Sequence, residues 1–326
     1  MSKLVTIYGG SGFVGRYVAR RMAKAGWRVR VAVRRPNEAM FVKPYGVVGQ
    51  VEPVFCNIRD DASVEAAAMG ADAVVNCVGT FDAGGKNNFD AVQAEGAERI
   101  ARVAVNLGVA RLVHISALSA DDNSDSAYSR SKAAGEAGVL RHMPGAMILR
   151  PSVVFGPEDE FFNRFASMTR FGPVLPVVGA ETKFQPVYVD DIAKAAAKGA
   201  LGEAEGGVYE LGGPGVHSFR ELMDIMLGVI QRRRIVVNIP FWAARIMAGG
   251  FAFGSAITGG LAPMPITPDQ VRSLTVDNIV SEGAKKLADL GITPTQMESV
   301  LPDYLWRFRP SGQYAAIKDS AKNLRA

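Results

Sequence analysis

The run Gly9-Gly10-Ser11-Gly12-Phe13-Val14-Gly15 decides the fold, because a strand pattern precedes it and a helix pattern follows it. Residues 4–8 form a short apolar, β-branched stretch that is typical of a buried strand. From residue 13 onward, apolar side chains recur at helical spacing until Gly26, which is suited to end a helix. A glycine-rich turn between a strand and a helix predicts a loop that binds the phosphates of a dinucleotide.

The glycines of this turn have separate predicted roles. Gly9 allows the tight turn, Gly12 lets the backbone approach a pyrophosphate, and Gly15 lets the helix pack closely on the strand. The pyrophosphate would lie at the amino end of the helix, where free N–H groups and the helix dipole favour an anion. The predicted cofactor contacts from this turn are Gly9, Gly10, Ser11, Gly12, Phe13, Val14 and Gly15.

The end of the second predicted strand, residues 28–34, indicates which dinucleotide is bound. An NAD site usually carries Asp or Glu at this place, where it accepts a hydrogen bond from the ribose 2′-hydroxyl. This chain has Arg34 and Arg35 instead, and a guanidinium suits a 2′-phosphate. Arg16, on the first helical turn, is a third member of the predicted clamp. The alternative is a solvated basic strand end, but the glycine turn favours NADP(H).

Composition limits the other function classes. The chain has 326 residues, 48% of them hydrophobic, which is enough for roughly two ordered domains. The net charge of +5 comes from scattered residues without a nucleic-acid motif, so no nucleic-acid partner is expected. Two cysteines and three scattered histidines predict neither a disulfide framework nor a metal site. We expect no signal peptide before the first strand, and no transmembrane span, because glycines and prolines interrupt the most apolar segment.

Strand and helix patterns alternate through the first two hundred residues, which predicts an α/β fold with a Rossmann-type, doubly wound parallel sheet. We expect residues 1–213 to form the NAD(P)-binding Rossmann domain. An insertion around 156–186 is expected to join a smaller, substrate-type C-terminal domain, residues 214–326, which would end in an interaction tail. Long helices are predicted over 89–107 and 283–306.

A second group of residues has side chains that could catalyse proton transfer. Tyr128 and Lys132 lie four residues apart, on one face of a predicted helix. A lysine ammonium beside a phenol lowers the pKa of the phenol, so Tyr128 would exchange a proton with a substrate oxygen that Ser116 also hydrogen-bonds. In the alternative, Lys132 holds the nicotinamide ribose while Tyr128 packs beside it. We favour this alternative, in which the catalytic residues are vestigial.

Together these motifs resemble the extended and atypical branches of the short-chain dehydrogenase/reductase family, over about residues 3–213. The resemblance implies contacts to the adenine side of the cofactor from the stretch after the third strand. It implies contacts to the nicotinamide side from the stretches that follow the later strands. The further cofactor-binding residues that the resemblance implies are Asn57, Ile58, Cys77, Val78, Gly79, Ser116, Tyr128, Lys132, Arg150, Pro151 and Val153.

Longer runs, among them 114–120, 155–168 and 265–271, resemble one atypical branch, the nucleotide-binding accessory subunits of respiratory complex I and their bacterial homologues. This branch implies a tightly bound NADPH with a structural role and no turnover. It also implies partner subunits near the junction of the peripheral and membrane arms. The protein would then be peripheral, on the cytoplasmic side of the inner (cytoplasmic) membrane.

The apolar segment 239–266 contains a single charge, Arg245. One interpretation of this segment is a core helix of the small domain. The other is an apolar face that docks on a membrane-embedded partner or on the membrane surface, and we favour this second interpretation. The bulky side chains concerned are Phe241, Trp242, Ile246, Met247, Phe251 and Phe253.

Three functions follow from these patterns. The first is an NADP(H)-binding accessory subunit of a respiratory NADH:ubiquinone oxidoreductase. The second is a free-standing NADP(H)-dependent reductase or epimerase that uses Tyr128 and Lys132 on a sugar-, isoprenoid- or quinone-like substrate. In the third, the subunit senses the level of NADPH.

Overall fold

The computed structural model describes residues 2–257 and 267–314. Part of the apolar segment, residues 258–266, and the predicted tail beyond residue 314 lie outside the described residues. The strands are β1 (Leu4–Tyr8), β2 (Arg28–Val33), β3 (Val51–Phe55), β4 (Ala73–Asn76), β5 (Arg111–Ile115), β6 (Met147–Pro151), β7 (Val154–Phe155), β8 (Val174–Val178), β9 (Lys183–Phe184), β10 (Val187–Tyr188), β11 (Gly207–Leu211), β12 (His217–Ser218) and β13 (Ile235–Ile239).

The α-helices alternate with these strands in the first two hundred residues. They are α1 (Phe13–Lys24), α2 (Asp61–Ala68), α3 (Glu95–Asn106), α4 (Ala127–His142), α5 (Phe162–Met168), α6 (Val189–Leu201), α7 (Phe219–Val229), α8 (Phe241–Ile257), α9 (Pro268–Ser273) and α10 (Met297–Leu305). Among the described residues, no helix combines the length and the apolar character needed to cross a membrane.

Seven parallel strands form the central sheet, in the order β3-β2-β1-β4-β5-β6-β11. The predicted Rossmann-type α/β fold is therefore confirmed. Val5, Ile7 and Val31 are completely buried, because helices cover both faces of a parallel sheet. The strand order reverses between β1 and β4, and this reversal opens a crevice at the carboxyl ends of the strands.

The chain divides into two compact units. The first comprises Met1–Ser152, Val189–Gly212 and Val280–Pro294, and the second comprises Val153–Tyr188, Gly213–Ile279 and Thr295–Ala326. The stretch 280–294 joins the first unit because it runs along β11. The Glu210 N–H donates to the Lys285 carbonyl at 2.8 Å, and the Ser281 N–H donates to Glu210 Oε2 at 2.7 Å.

The second unit has its own apolar core, built around Phe155, Phe162 and Leu222. The pairs β7–β10 and β8–β13 are parallel, and β9–β12 is antiparallel. Inside this core the Tyr304 hydroxyl donates to Asp159 Oδ2 at 2.5 Å, so the buried carboxyl group has a partner.

Two predicted helices are interrupted in the structure. The helix expected over 89–107 begins as a π-helical turn, Asp90–Ala94, before α3. The helix expected over 283–306 is a 3-10 turn, Leu287–Leu290, followed by α10. Gly291 separates these two elements in a left-handed conformation, with φ = +64°, which ends the turn.

Candidate dinucleotide site

The glycine loop lies at the carboxyl end of β1, where the strand order reverses. Gly9 has φ = +72°, a left-handed conformation that favours glycine. A Cβ atom on Gly15 would lie 2.3 Å from the Gly9 carbonyl oxygen and 2.7 Å from the Gly10 Cα. Because those neighbours are backbone atoms, α1 can pack on the turn this closely only if residue 15 is glycine.

The amino end of α1 suits an anion. Gly12 is the N-cap residue and supplies no side-chain cap, and the first turn contains no acidic residue. A Cβ on Gly12 would meet only the Gly9 carbonyl oxygen, at 3.1 Å. The first N–H groups of the helix and its dipole therefore fit the pyrophosphate of a dinucleotide. The contacts predicted for Ser11, Phe13 and Val14 remain predictions.

The three clamp arginines lie near this loop or at the strand end beside it. Arg34 and Arg35 follow β2, the neighbour of β1, and both are exposed. Arg35 forms an ion pair with Glu38 at 3.1 Å, whereas Arg34 has no ion pair within the described residues. Arg16 donates to the Ser11 carbonyl at 3.1 Å and so lies against the glycine loop. A 2′-phosphate would compete with Glu38 for Arg35, which makes Arg34 the more available guanidinium.

The residues predicted on the adenine side follow β3. The Asn57 N–H donates to Ser63 Oγ at 2.8 Å, and Asn57 Oδ1 accepts a hydrogen bond from the Arg59 N–H at 3.2 Å. Ile58 packs on α3, where a Cβ on Gly96 would lie 2.7 Å from Ile58 Cδ1. The loop is thus held by local hydrogen bonds and by close packing on the helix.

The residues predicted on the nicotinamide side follow β4. Cys77 lies against the glycine loop, since a Cβ on Gly9 would lie 3.1 Å from the Cys77 carbonyl. The Val78 N–H donates to Asn76 Oδ1 at 3.0 Å. A Cβ on Gly79 would lie 3.7 Å from Lys132 Nζ, so this loop and α4 meet at the lysine.

Tyr128 and Lys132 share one face of α4. Lys132 Nζ lies 5.9 Å from the centroid of the Tyr128 ring and donates to the Ile115 carbonyl at 3.4 Å. Burial raises the pKa of Tyr128 to about 12 and lowers the pKa of Lys132 to about 8. The expectation that the pKa of the phenol is lowered is therefore wrong: the pKa is raised, and desolvation by burial is the cause.

Two aromatic rings pack on the phenol. The Phe81 ring stacks on the Tyr128 ring with centroids 5.5 Å apart and planes 15° apart. Phe89 meets the same ring edge-on at 5.8 Å. These contacts place apolar surface against two sides of the half-buried Tyr128 ring, which disfavours a phenolate there.

The Ser116 hydroxyl has a partner inside the protein. It donates to Glu136 Oε1 at 2.5 Å, and Glu136 accepts from Arg150 Nε at 2.9 Å and from Arg150 Nη2 at 2.6 Å. Ser116 and Glu136 are buried, and Arg150 Nη1 also lies 3.7 Å from Glu210 Oε1. Because a hydroxyl has one proton to donate, Ser116 does not donate to a substrate carbonyl while this network holds.

A buried polar pair lies between β4 and β5. His114 Nδ1 accepts a hydrogen bond from Asn76 Nδ2 at 3.1 Å, which assigns the ring proton to Nε2. His114 Nε2 has no hydrogen-bond partner among the described residues. Desolvation, aided by the charge of Lys132, lowers the pKa of His114 to about 3. The imidazole is therefore neutral at physiological pH.

The predicted residues are not all in one unit. Arg150 and Pro151 end β6, an inner strand of the sheet. They therefore lie at the carboxyl ends of the strands, where the glycine loop also lies. Val153 begins the second unit and packs against the apolar core of that unit. The residues of the first unit fit a dinucleotide for two reasons. The amino end of α1 has no side-chain cap, and the turn beside it has a backbone conformation and packing that only glycine allows.

Three residues of this site were not predicted from the sequence. Glu136 carries a signal that could have identified it, since it follows Lys132 by four residues and so lies on the same helix face. In the sequence, His114 is one residue of an otherwise apolar strand pattern, and this pattern does not mark it as part of a site. Phe81 lies in a loop, where no periodic pattern predicts which ring it will contact.

The fold is an NAD-binding Rossmann fold of the short-chain dehydrogenase/reductase type, and the predicted fold class is thus confirmed. The chain belongs to the NAD dependent epimerase/dehydratase family, whose model matches residues 5–212.

Two relatives and one solved structure show how far the similarity extends. The mitochondrial NADH dehydrogenase (ubiquinone) 1 alpha subcomplex subunit 9 of Arabidopsis thaliana is 34% identical over 316 residues, 95% of this chain and 79% of that protein. Ceramide reductase of Caulobacter vibrioides is 34% identical over 190 residues, 58% of each chain. The Bordetella bronchiseptica enzyme WbmH, solved with NAD+, shares the fold with a TM-score of 0.68 at 16% identity, covering 96% of this chain and 100% of WbmH.

Proposed function

We propose that this chain is an NADP(H)-binding accessory subunit of a respiratory NADH:ubiquinone oxidoreductase and has no turnover of its own. The observation that carries the proposal is the Ser116–Glu136–Arg150 network, which engages the serine proton in a site otherwise shaped for a dinucleotide. Similarity to a subunit of a respiratory NADH dehydrogenase along 95% of the chain supports the assignment to such a complex. The cofactor would then stabilise the fold by binding only to the native state.

The cofactor we propose is a tightly bound NADPH. The amino end of α1 would hold the pyrophosphate, Arg34 and Arg35 would hold the 2′-phosphate, and Lys132 would hold the nicotinamide ribose. Bound nicotinamide dinucleotides supply hydride chemistry. At the nicotinamide end, Ser116, Lys132 and Glu136 are buried, and Ser116 and Glu136 are hydrogen-bonded to each other, which favours a fixed site that retains the cofactor.

We propose a peripheral position on the cytoplasmic side of the inner (cytoplasmic) membrane, near the junction of the peripheral and membrane arms. In α8, Ala244 and Ala248 are buried, whereas Trp242 is 68% exposed and Ile246 is 69% exposed. The helix thus packs on its own unit with one face and offers an apolar face to a partner.

Tyr128→Phe is expected to leave NADPH retention and the NADH:quinone activity of the assembled complex unchanged within a factor of about two, roughly 0.4 kcal/mol. The variant removes the proposed proton donor but keeps the ring that packs on Phe81 and Phe89. Both quantities can be measured after gentle solubilisation of membranes and isolation of the complex that contains this chain.

A free-standing NADP(H)-dependent reductase or epimerase is the second candidate, since Tyr128 and Lys132 are retained and ceramide reductase is a partial relative. It would replace the accessory-subunit proposal if the purified chain oxidised NADPH with a carbonyl substrate and Tyr128→Phe abolished that reaction. Release of the chain from membranes in one large particle with NADH:quinone activity would exclude it.

Arg34→Gln is expected to weaken NADPH binding by about tenfold or more and to leave NADH binding unchanged, because a charge-assisted hydrogen bond contributes roughly 1.5–3 kcal/mol. Calorimetric titration of the purified chain with each nucleotide measures both affinities. Arg20→Gln, an exposed arginine on α1, serves as the matched control and should change neither affinity. An equal loss for NADPH and NADH would show that Arg34 does not read the 2′-phosphate.

A further inference from the structure

The second unit carries a cluster of arginines where three stretches of chain meet. Arg170 follows α5, and Arg232 and Arg234 lie between α7 and β13. Arg232 Nε donates to the Phe308 carbonyl at 2.8 Å, and the Arg170 guanidinium lies 5.0 Å from the centroid of the Phe308 ring. Arg234 Nε donates to the Thr169 carbonyl at 3.0 Å. Residues more than sixty positions apart in the chain thus form one basic surface, called here the arginine cluster.

The arginine cluster has backbone partners but lacks acidic ones. Within residues 2–257 and 267–314, no carboxylate forms an ion pair with Arg170, Arg232 or Arg234. Desolvation and the charges of Arg234 and Arg170 lower the pKa of Arg232 below its ordinary value, a sign of mutual repulsion. Arg233, between the other two, is exposed. A bound anion would relieve this repulsion.

An apolar sheet face adjoins the arginine cluster. In the parallel pair β8–β13, Val174 lies opposite Ile235 and Pro176 lies opposite Val237, and all four are exposed. Phe171, between Arg170 and β8, is 90% exposed. Because the strands are parallel, their amino ends lie together at the edge that carries the arginines. Alternate residues of β8 point into the core, so the outer row of side chains is left uncovered.

We propose that the arginine cluster and this apolar sheet face form a binding surface for an anionic phospholipid membrane. Guanidinium groups hydrogen-bond phosphate oxygens, often in bidentate pairs, which suits the headgroups. Phe171 and Ile235 would enter the boundary between headgroups and acyl chains. The combination of basic and large apolar side chains on one surface is typical of proteins that lie on membranes. The inference deepens the proposed peripheral location, but it does not depend on assembly into a respiratory complex.

The direct test is flotation of the purified full-length chain with vesicles. One set contains phosphatidylcholine alone, and the other contains about one part in four of phosphatidylglycerol. We expect binding to the anionic vesicles only, and weaker binding as salt screens the charges. The double variant Arg170→Gln/Arg233→Gln should weaken binding by roughly thirtyfold, since each arginine near the surface contributes about 1 kcal/mol. Ile235→Ser should weaken it further by removing apolar contact.

Matched controls separate a local effect from net charge and from misfolding. Arg20→Gln/Arg28→Gln removes the same charge from exposed positions of the first unit and should leave vesicle binding unchanged. Arg170→Lys/Arg233→Lys keeps the charge and should retain most of the binding. Thermal unfolding of each variant shows whether the second unit remains folded.

Several results would overturn the lipid proposal. The first is binding to neutral vesicles that equals binding to anionic vesicles. The second is a loss of binding in Arg20→Gln/Arg28→Gln that equals the loss in Arg170→Gln/Arg233→Gln. The third is a chain that assembles into a complex but has no affinity for vesicles. The last would assign the surface to an acidic protein partner. Conversely, the chain could bind anionic vesicles but enter no respiratory complex. That result would support the membrane-binding surface and contradict the accessory-subunit proposal.

Discussion

Gly15→Ala is expected to weaken NADP(H) binding at least about a hundredfold, close to 3 kcal/mol. The added Cβ would lie 2.3 Å from the Gly9 carbonyl oxygen and 2.7 Å from the Gly10 Cα. Neither atom belongs to a flexible side chain, so α1 must move away from the turn. That movement would displace the N–H groups that we assign to the pyrophosphate. Fluorescence titration of the purified variant with NADPH measures the loss.

Gly228→Ala is the matched control for this prediction. Gly228 also lies within a helix, α7, but a Cβ there would meet no atom within 4 Å. The same substitution should therefore leave NADPH binding unchanged and stabilise the helix by roughly 0.5–1 kcal/mol. Normal NADPH affinity in Gly15→Ala would contradict the assigned loop. If a variant that no longer binds NADPH left assembly and activity of the complex unchanged, both the structural role and the sensing role of the cofactor would be excluded.

His114 is expected to make the protein sensitive to acid. The pKa of His114 is about 3 in the folded state against an ordinary value of 6.5, because the ring is buried beside the charge of Lys132. Below pH 6.5 the unfolded chain takes up a proton that the folded chain refuses. The free energy of unfolding therefore falls as the pH falls from about 6.5 toward about 3, by up to roughly 1.4 kcal/mol per pH unit.

Denaturant unfolding of the wild type and of His114→Gln, measured between pH 7 and pH 5, isolates this contribution. The variant should be less stable at neutral pH, where it loses the fit to Asn76, but it should show a shallower decline on acidification. His217→Gln, at a half-exposed histidine of the second unit, should keep the wild-type slope. A decline of the same steepness in His114→Gln would show that other groups, such as the carboxylates, cause the acid sensitivity.

Local patterns predicted the fold of the first unit well. A buried strand, a turn with glycine at residue 9 and an amphipathic helix are each determined by residues within about twenty positions of one another, so periodicity and glycine spacing suffice. The strand alternation likewise predicted the parallel sheet. The path of residues 280–294 was not predicted, because its hydrogen bonds to β11 join segments that are more than seventy positions apart.

The chemistry of the candidate site was only half predicted. The sequence indicated that Tyr128 and Lys132 share a helix face, since their spacing alone places them there. It did not predict that Phe81 and Phe89 would pack on the phenol, nor that burial would raise its pKa rather than lower it. Desolvation depends on everything packed around a group, and a motif of two residues does not encode it.

By itself, the sequence determined the Rossmann-type fold, the family and the place of the glycine loop, because these follow from local spacing of glycine and apolar residues. Only the tertiary structure decided what the polar groups do. It joined Ser116, Glu136 and Arg150 from a strand end, a helix and another strand, and so engaged the serine proton in a hydrogen bond to Glu136. It also gathered the arginine cluster from segments far apart in the chain. Hydrogen bonds and like-charge contacts of this kind depend on which elements pack together, and no periodicity along the chain reports that.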